Sequence, residues 1–535
     1  MSHTALNYPY SSRRMAIFAT NGMVATSQPL AAQAGLRVLE EGGNAIDAAV
    51  AAAASLTVLE PASNGIGGDA FALIWSGGKL HGLNASGPAP QKLTAEAVRQ
   101  AGYENMPRYG WLPVTVPGAP AAWAAASQRF GKLPLTKVLE PAIQYAEQGY
   151  PISPILGVQW RRAFEALKKQ APEELYREWF ATFAPHDRAP EIGEIWRSPN
   201  HASTLQKIAD TNAESFYRGE LAEKIDHFSR TTGGAIRGED LAAYQPEWVD
   251  PIKINYRGYD IWEIPPNGQG LVVLMALNIL KKFDFTERDT LKTLHKQIEA
   301  LKLAFVDGKH FITDPHKMGV TVEDLLSDAY AEERRKQIGT HACLPTAGKP
   351  QAGGTVYIAT ADREGNMVSF IQSNYMGFGS GLVVPGTGIS LQNRGHTFSL
   401  DPEHYNYLEP GKRTYHTIIP GFITKDDHPV GPFGVMGGFM QPQGHLQVVM
   451  NTIDFQMNPQ AALDAPRWQW IEGKKIWVEH TFPNHLAQSL AEKGHDIEVK
   501  LDSLSFGRGQ IIQRNSSGVL IGGTEPRCDG GIAAF

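Results

Sequence analysis

Two glycines, Gly353 and Gly354, lead directly into Thr355, which opens the β-branched run Thr355-Val356-Tyr357-Ile358-Ala359-Thr360. A turn at Asp362-Arg363-Glu364-Gly365-Asn366 separates it from Met367-Val368-Ser369-Phe370-Ile371-Gln372-Ser373. The pattern predicts a β-hairpin with a glycine-containing loop. A threonine at a strand start carries no chemistry while the chain is continuous. A chain cut before it holds a hydroxyl nucleophile and its own base in one residue. The freed α-amine has a pKa of about 7.7–8.0, so part of it is neutral near pH 7 and accepts the hydroxyl proton. Gly353 and Gly354 lack a Cβ, which lets the backbone at the Gly354–Thr355 bond adopt a strained geometry. An ordinary strand start is the competing reading of the same residues.

Other motifs frame this segment. Asn21-Gly22-Met23-Val24-Ala25-Thr26 is followed by Gly42-Gly43-Asn44-Ala45-Ile46-Asp47, then by Glu60-Pro61 and Asn64-Gly65-Ile66-Gly67-Gly68. Val116-Pro117-Gly118, Asp240-Leu241 and Pro265-Pro266-Asn267-Gly268-Gln269-Gly270 lie mid-chain. Phe378-Gly379-Ser380-Gly381, Pro410-Gly411-Lys412-Arg413, Gly437-Gly438 and Pro526-Arg527-Cys528-Asp529-Gly530 follow. In this order, over nearly the whole chain, they resemble the gamma-glutamyltranspeptidase family, which includes related cephalosporin acylases. The resemblance implies an α+β fold, the four-layer αββα sandwich of N-terminal-nucleophile hydrolases. It implies a precursor that cuts itself at Gly354–Thr355, giving segments 1–354 and 355–535 that stay together as a heterodimer forming one domain.

The resemblance also assigns roles. Thr355 is the nucleophile, attacking first the carbonyl of Gly354 and later an acyl carbonyl. Ser373 falls where a hydroxyl residue positions the nucleophile, although a serine on a strand surface is the simpler alternative. Gly437-Gly438 match the pair forming the oxyanion hole, two N–H groups free of side chains that converge on a developing alkoxide. Losing one such donor costs about 10²–10³ in rate. Departures bear on the substrate. Ser86 stands where γ-glutamyl-specific relatives carry the arginine that holds the α-carboxylate. Gln392-Asn393-Arg394-Gly395 replaces the stretch with the acid that holds the α-amine, His416-Thr417 replace a serine pair, and Tyr375 replaces an asparagine. With no acid at those positions, Arg394 offers a two-pronged partner for a distal carboxylate, as in a glutaryl group; a structural arginine is the alternative. The expected partners are a small amide, water and an amine acceptor, and no metal or organic cofactor is implied. Two rivals remain: a glutathione or γ-glutamyl hydrolase with a changed clamp, and an uncut, non-enzymatic binding relative.

The elements that must position these residues follow from pattern. Pro29 to Glu41 reads as a helix stopped by Gly42-Gly43. Asn44 caps a second, Ala-rich helix from Ala45 to Ala54, with Asp47 in its first turn. Ala119 to Leu156 reads as helical with breaks at Pro134 and Pro141, and 157–250 as mostly helical. Ile252 to Ile264 reads as one strand, followed by helices from Leu271 to Lys282 and Leu291 to Val306. From Thr355 onward the chain reads as short β runs. Leu344 to Gly354, rich in Pro and Gly, reads as an exposed connector. The 535 residues, 42% apolar, suffice for a large core, and the net charge of −6 with no long basic run does not indicate nucleic acid. Cys343 and Cys528 cannot build a disulfide framework, and their pairing stays open. The first twenty residues lack a charged start followed by an apolar run, which predicts a cytoplasmic protein, and no segment reads as membrane-spanning.

Overall fold

The computed structural model describes residues 9–12, 14–170, 172–345 and 354–535. Gly353 and most of the expected connector lie outside them. The chain is α+β. Its centre is two antiparallel sheets of seven strands each among the described residues. The first runs Gly531–Ala534, Gly22–Thr26, Gly354–Asp362, Met367–Tyr375, Asp69–Ser76, Lys79–Ala85, Glu247–Val249. The second runs Ile17–Ala19, Leu520–Thr524, Arg508–Arg514, His428–Met436, Gly421–Lys425, Tyr259–Glu263, Ile252–Tyr256.

Alternation along the strands shows how the layers pack, because successive side chains point to opposite faces. Val356, Ile358, Val368 and Phe370 join one core with the helices Pro29–Glu40 and Ala45–Leu59. Tyr357, Ala359, Met367 and Ile371 join another with Phe422, Phe433, Val435 and Ile511 of the second sheet. That second core continues to the helices Gly270–Leu280, Leu291–Phe311 and Met440–Ile453. Thr355 and Ser373 share the parity of Tyr357 and Ile371, so both hydroxyls belong to the space between the sheets.

The Ala45–Leu59 helix is buried at every position. Asn44 accepts from the N–H groups of Ile46 and Asp47, while Asp47 accepts from the N–H of Asn44, a capping box. Small side chains let it approach its neighbours closely: a Cβ at Gly35 would come within 2.9 Å of the Ala48 carbonyl. The expected hairpin is present and longer than its motif, Gly354–Asp362 paired with Met367–Tyr375.

Three expectations change. Ile252 to Ile264 is a hairpin rather than one strand, turning at Arg257 and Gly258, both at positive φ. The segment after Thr355 also holds the helices Met440–Ile453, Pro459–Asp464 and Asn484–Glu492. The helix from Leu291 runs on to Phe311. Cys343 and Cys528 are both free thiols. Among the described residues no helix is long and apolar enough to cross a membrane.

Candidate active site

Thr355 sits at a break in the hairpin register. Gly354 pairs with Tyr375 and Val356 with Gln372, so two residues, Ser373 and Asn374, oppose Thr355. Such a bulge re-aims side chains, and here it brings two hydroxyls together. Thr355 Oγ1 donates to Ser373 Oγ at 3.2 Å, and Ser373 Oγ accepts from the Tyr375 N–H at 2.7 Å. Tyr375 closes the bulge at φ 75°, a left-handed conformation that a bulky residue rarely adopts.

The second sheet supplies the other wall. His428–Met436 ends at Gly437 and Gly438, with φ of 138° and 61°, conformations open to glycine. The helix that follows carries Gln441 in its first turn, and Gln441 Nε2 donates to Thr355 Oγ1 at 3.3 Å. Its Oε1 accepts from the Ile419 N–H at 3.0 Å. The turn is tied from behind by Gln269, whose Nε2 donates to the carbonyls of Gly438 at 2.9 Å and Thr417 at 2.5 Å. Tyr415 Oη in turn donates to Gln269 Oε1 at 2.9 Å. With the Gly438 carbonyl bound from outside, the Gly438–Phe439 peptide plane is fixed.

Arg394 lies in the short 3-10 turn Arg394–Thr397 and is fully buried. Nη1 donates to Thr417 Oγ1 at 2.6 Å, and the guanidinium carbon is 4.4 Å from the Tyr375 ring centroid. Among the described residues Nε and Nη2 have no hydrogen-bond partner. Burial draws the guanidinium down to about 10, against the pull of Asp69 and Tyr375. Asp69 is likewise buried and pushed up to about 7 by desolvation, which the nearby Arg394 opposes. Its Oδ1 accepts from Gln392 Nε2 at 2.9 Å and from the Gly87 N–H at 3.3 Å. His416 Nε2 is 3.0 Å from Asp69 Oδ2, while its Nδ1 accepts from the Ile418 N–H at 3.3 Å. That pattern makes His416 a neutral ring with its proton on Nε2, in keeping with burial holding it well below its ordinary range.

The structure therefore joins Thr355, Ser373 and the turn at Gly437-Gly438 in one group, and Arg394, Tyr375 and Thr417 in an adjoining one. His416 stands behind them, on Asp69. Ser86 belongs to neither group: its Oγ donates to Asn84 Oδ1 at 2.7 Å and lies 3.3 Å from Asn267 Oδ1. Asp69, Gln269 and Gln441 were not foreseen. Gln269 lies within a motif noted in the sequence, Asp69 directly follows another and Gln441 is three residues past Gly438, but their partners lie far away in the chain. A cavity of about 660 Å³ opens beside the groups, lined by Tyr375, Tyr415, Phe439 and Lys309 among others. Away from it, His295, Glu299 and His495 bring ligand atoms within 4.8 Å of one another. Lys302 Nζ, 2.6 Å from Glu299 Oε1, already supplies a cation there.

The sequence pattern of the gamma-glutamyltranspeptidase family matches residues 31–535. The chain belongs to the gamma-glutamyltranspeptidase family. It is 37% identical to the glutathione hydrolase-like YwrD proenzyme of Bacillus subtilis (strain 168), over 96% of this chain and 98% of that one. It is 35% identical to the oxamate amidohydrolase proenzyme of Klebsiella pneumoniae, over 96% and 99%. The crystal structure of a cephalosporin acylase from Bacillus halodurans superposes with a TM-score of 0.96 at 64% identity, over 100% of this chain and 99% of that one. The family thus joins glutathione hydrolases and acylases, and its members include proenzymes.

Proposed function

We propose that the protein is a self-processing amidohydrolase with the four-layer αββα arrangement of N-terminal-nucleophile hydrolases, and that Thr355 forms an acyl-enzyme with the acyl part of a dicarboxylic acid monoamide. The observation that carries the reading is the convergence of Ser373 and Gln441 on Thr355 Oγ1 at the start of a strand, with Gln441 three residues past the Gly437-Gly438 turn. In the precursor, Oγ1 attacks the Gly354 carbonyl and the peptide becomes an ester. Water opens it, releasing Gly354 as a carboxylate and leaving the amine of Thr355 free. The segments are then 1–354 and 355–535.

In turnover the amine takes the hydroxyl proton and Oγ1 attacks the substrate carbonyl. The Gly437 and Gly438 N–H groups stabilise the oxyanion, the leaving amine takes the proton, and water hydrolyses the ester. The acyl group is read by Arg394, whose Nε and Nη2 are open for a carboxylate fork. Asp69 already accepts from Gln392 and Gly87 and pairs with His416, which weakens its hold on a substrate ammonium. This favours a glutaryl-like acyl group over γ-glutamyl, in line with relatives named as an oxamate amidohydrolase and a cephalosporin acylase.

Intact mass of the purified protein beside Thr355→Ala, with rates on glutaryl- and γ-glutamyl-p-nitroanilide, tests the reading. Fragments that meet at Gly354/Thr355, absent in the variant, and turnover that favours glutaryl are expected. A single uncut chain inert to both anilides overturns the mechanism, and efficient γ-glutamyl cleavage with glutaryl ignored overturns the substrate assignment.

A further inference from the structure

The buried cluster of His295, Glu299 and His495 has no part in the nucleophile chemistry. His295 and Glu299 stand one turn apart on helix Leu291–Phe311, on one face. His495 directly precedes the strand Asp496–Lys500. His295 Nε2 lies 3.0 Å from the Gly339 carbonyl and can only donate there, so its Nδ1 keeps a lone pair. That lone pair faces His495 Nε2 at 2.9 Å. An imidazole whose far N–H is held by a backbone carbonyl is oriented as metal-ligating histidines are.

The spacing agrees with this. Ligand atoms about 2.1 Å from a tetrahedral zinc ion are about 3.4 Å apart. The two nitrogens at 2.9 Å, and His495 Nε2 and Glu299 Oε1 at 3.9 Å, bracket that separation. Lys302 Nζ answers the charge of Glu299 but neither imidazole. Its second acceptor, the Cys343 carbonyl at 2.6 Å, holds the ammonium when Oε1 turns to an ion. Cys343 adjoins the cluster: its N–H donates to Glu299 Oε2 at 2.9 Å, and its thiol reaches the same carboxylate. Burial holds that thiol up at about 11, but coordination to zinc deprotonates a thiol outright.

We propose that His295, Glu299 and His495 bind one zinc ion, with the Cys343 thiolate as fourth ligand. The thiol proton leaves to solvent. The His495 proton passes from Nε2 to Nδ1, which has no partner among the described residues. Two nitrogens, an oxygen and a sulfur in a closed set suit zinc in a structural role. His295, Glu299 and Cys343 precede Thr355 in the chain and His495 follows it. The ion therefore pins the helix to the sheet of Trp468–Glu472, Lys475–Glu479 and Asp496–Lys500 across the proposed cut. The inference is independent of the amidohydrolase reading.

The test is metal analysis of the purified protein after incubation with zinc chloride and desalting. One zinc per chain should remain, and His295→Gln and His495→Gln should each lose it. Cobalt in place of zinc should give the intense visible bands of a tetrahedral site. It should also give a thiolate-to-cobalt charge-transfer band that Cys343→Ser removes. Unaltered protein that retains no zinc overturns the proposal without any variant having to fold. Zinc content that survives in both histidine variants also overturns it, and a cobalt spectrum without the charge-transfer band refutes the assigned ligand set.

Discussion

Replacing Arg394 with methionine separates a substrate clamp from a structural arginine. The guanidinium is fully buried, spends Nη1 on Thr417 and, among the described residues, leaves Nε and Nη2 without partners. Truncating one member of a buried, hydrogen-bonded charge pair costs about 2–5 kcal/mol, and 1.4 kcal/mol is tenfold. Arg394→Met should therefore lower kcat/KM for glutaryl-p-nitroanilide by about thirtyfold to about four-thousandfold. Arg394→Lys keeps the charge but loses the fork and should fall between the variant and the parent. A contact made equally before and during the chemical step raises KM first, so the loss should appear there rather than in kcat. Stability should change little. The parent holds a desolvated cation with two unmatched donors, and methionine removes those costs together with the Thr417 bond and the charge that opposes the desolvation of Asp69, so Tm should hold within a few degrees. The assay is steady-state kinetics on glutaryl- and butyryl-p-nitroanilide, with a thermal melt of each variant. A Tm that drops by several degrees, with both anilides slowed by the same factor, refutes the clamp and establishes Arg394 as structural.

Two more outcomes follow from the same geometry. Gln269→Leu removes a donor from the carbonyls of Gly438, which keeps the Gln441 N–H, and Thr417 and should lower kcat by about tenfold to a hundredfold with little change in KM, measured on the processed enzyme. Asp69 is held at about 7 in the folded chain against about 3.9 for an unperturbed aspartate. Between those values the folded state keeps a proton that the unfolded state has released. Stability therefore declines as pH rises from about 4 to about 7, by up to about 1.4 kcal/mol per pH unit, and levels off above. Asp69→Asn should flatten that decline in denaturant titrations across this range; an unchanged slope counts against the assignment.

Local chemistry made much of the fold legible. The Asn44 cap, the Ala-rich helix behind it and the hairpin around Thr355 each follow from neighbouring residues, and the structure has all three. The hairpin within 252–264 was hidden because its turn is Arg257-Gly258 rather than Asn-Gly. The helix Met440–Ile453 was hidden for a different reason. Gln441, Gln443, His445 and Gln447 are buried and hydrogen-bonded to other elements, so the helix has no polar face to give it a period. The candidate site divides the same way. Thr355, Ser373 and the glycine pair sit in recognisable motifs, whereas Asp69 meets His416, and Gln269 meets Gly438, across 347 and 169 positions. No local signal marks such pairs.

The strand order of the first sheet also governs what happens after a cut before Thr355. Gly354–Asp362 lies between Gly22–Thr26 and Met367–Tyr375, and Asp69–Ser76 closes on the far side. Strands from before and after the cut are interleaved, with Gly531–Ala534 at one edge pairing to Gly22–Thr26. Neither fragment holds a complete sheet, so the two cannot part without breaking the core. Folding of the intact chain is unimolecular, but recovery of the cut protein from its unfolded fragments must be bimolecular. Dilution should leave the cut protein intact yet defeat its renaturation, making its lifetime a matter of unfolding rate rather than equilibrium. A cut before Thr355 would therefore act as a ratchet, with the uncut chain free to fold again after denaturation and the cut protein left to survive on its first folding.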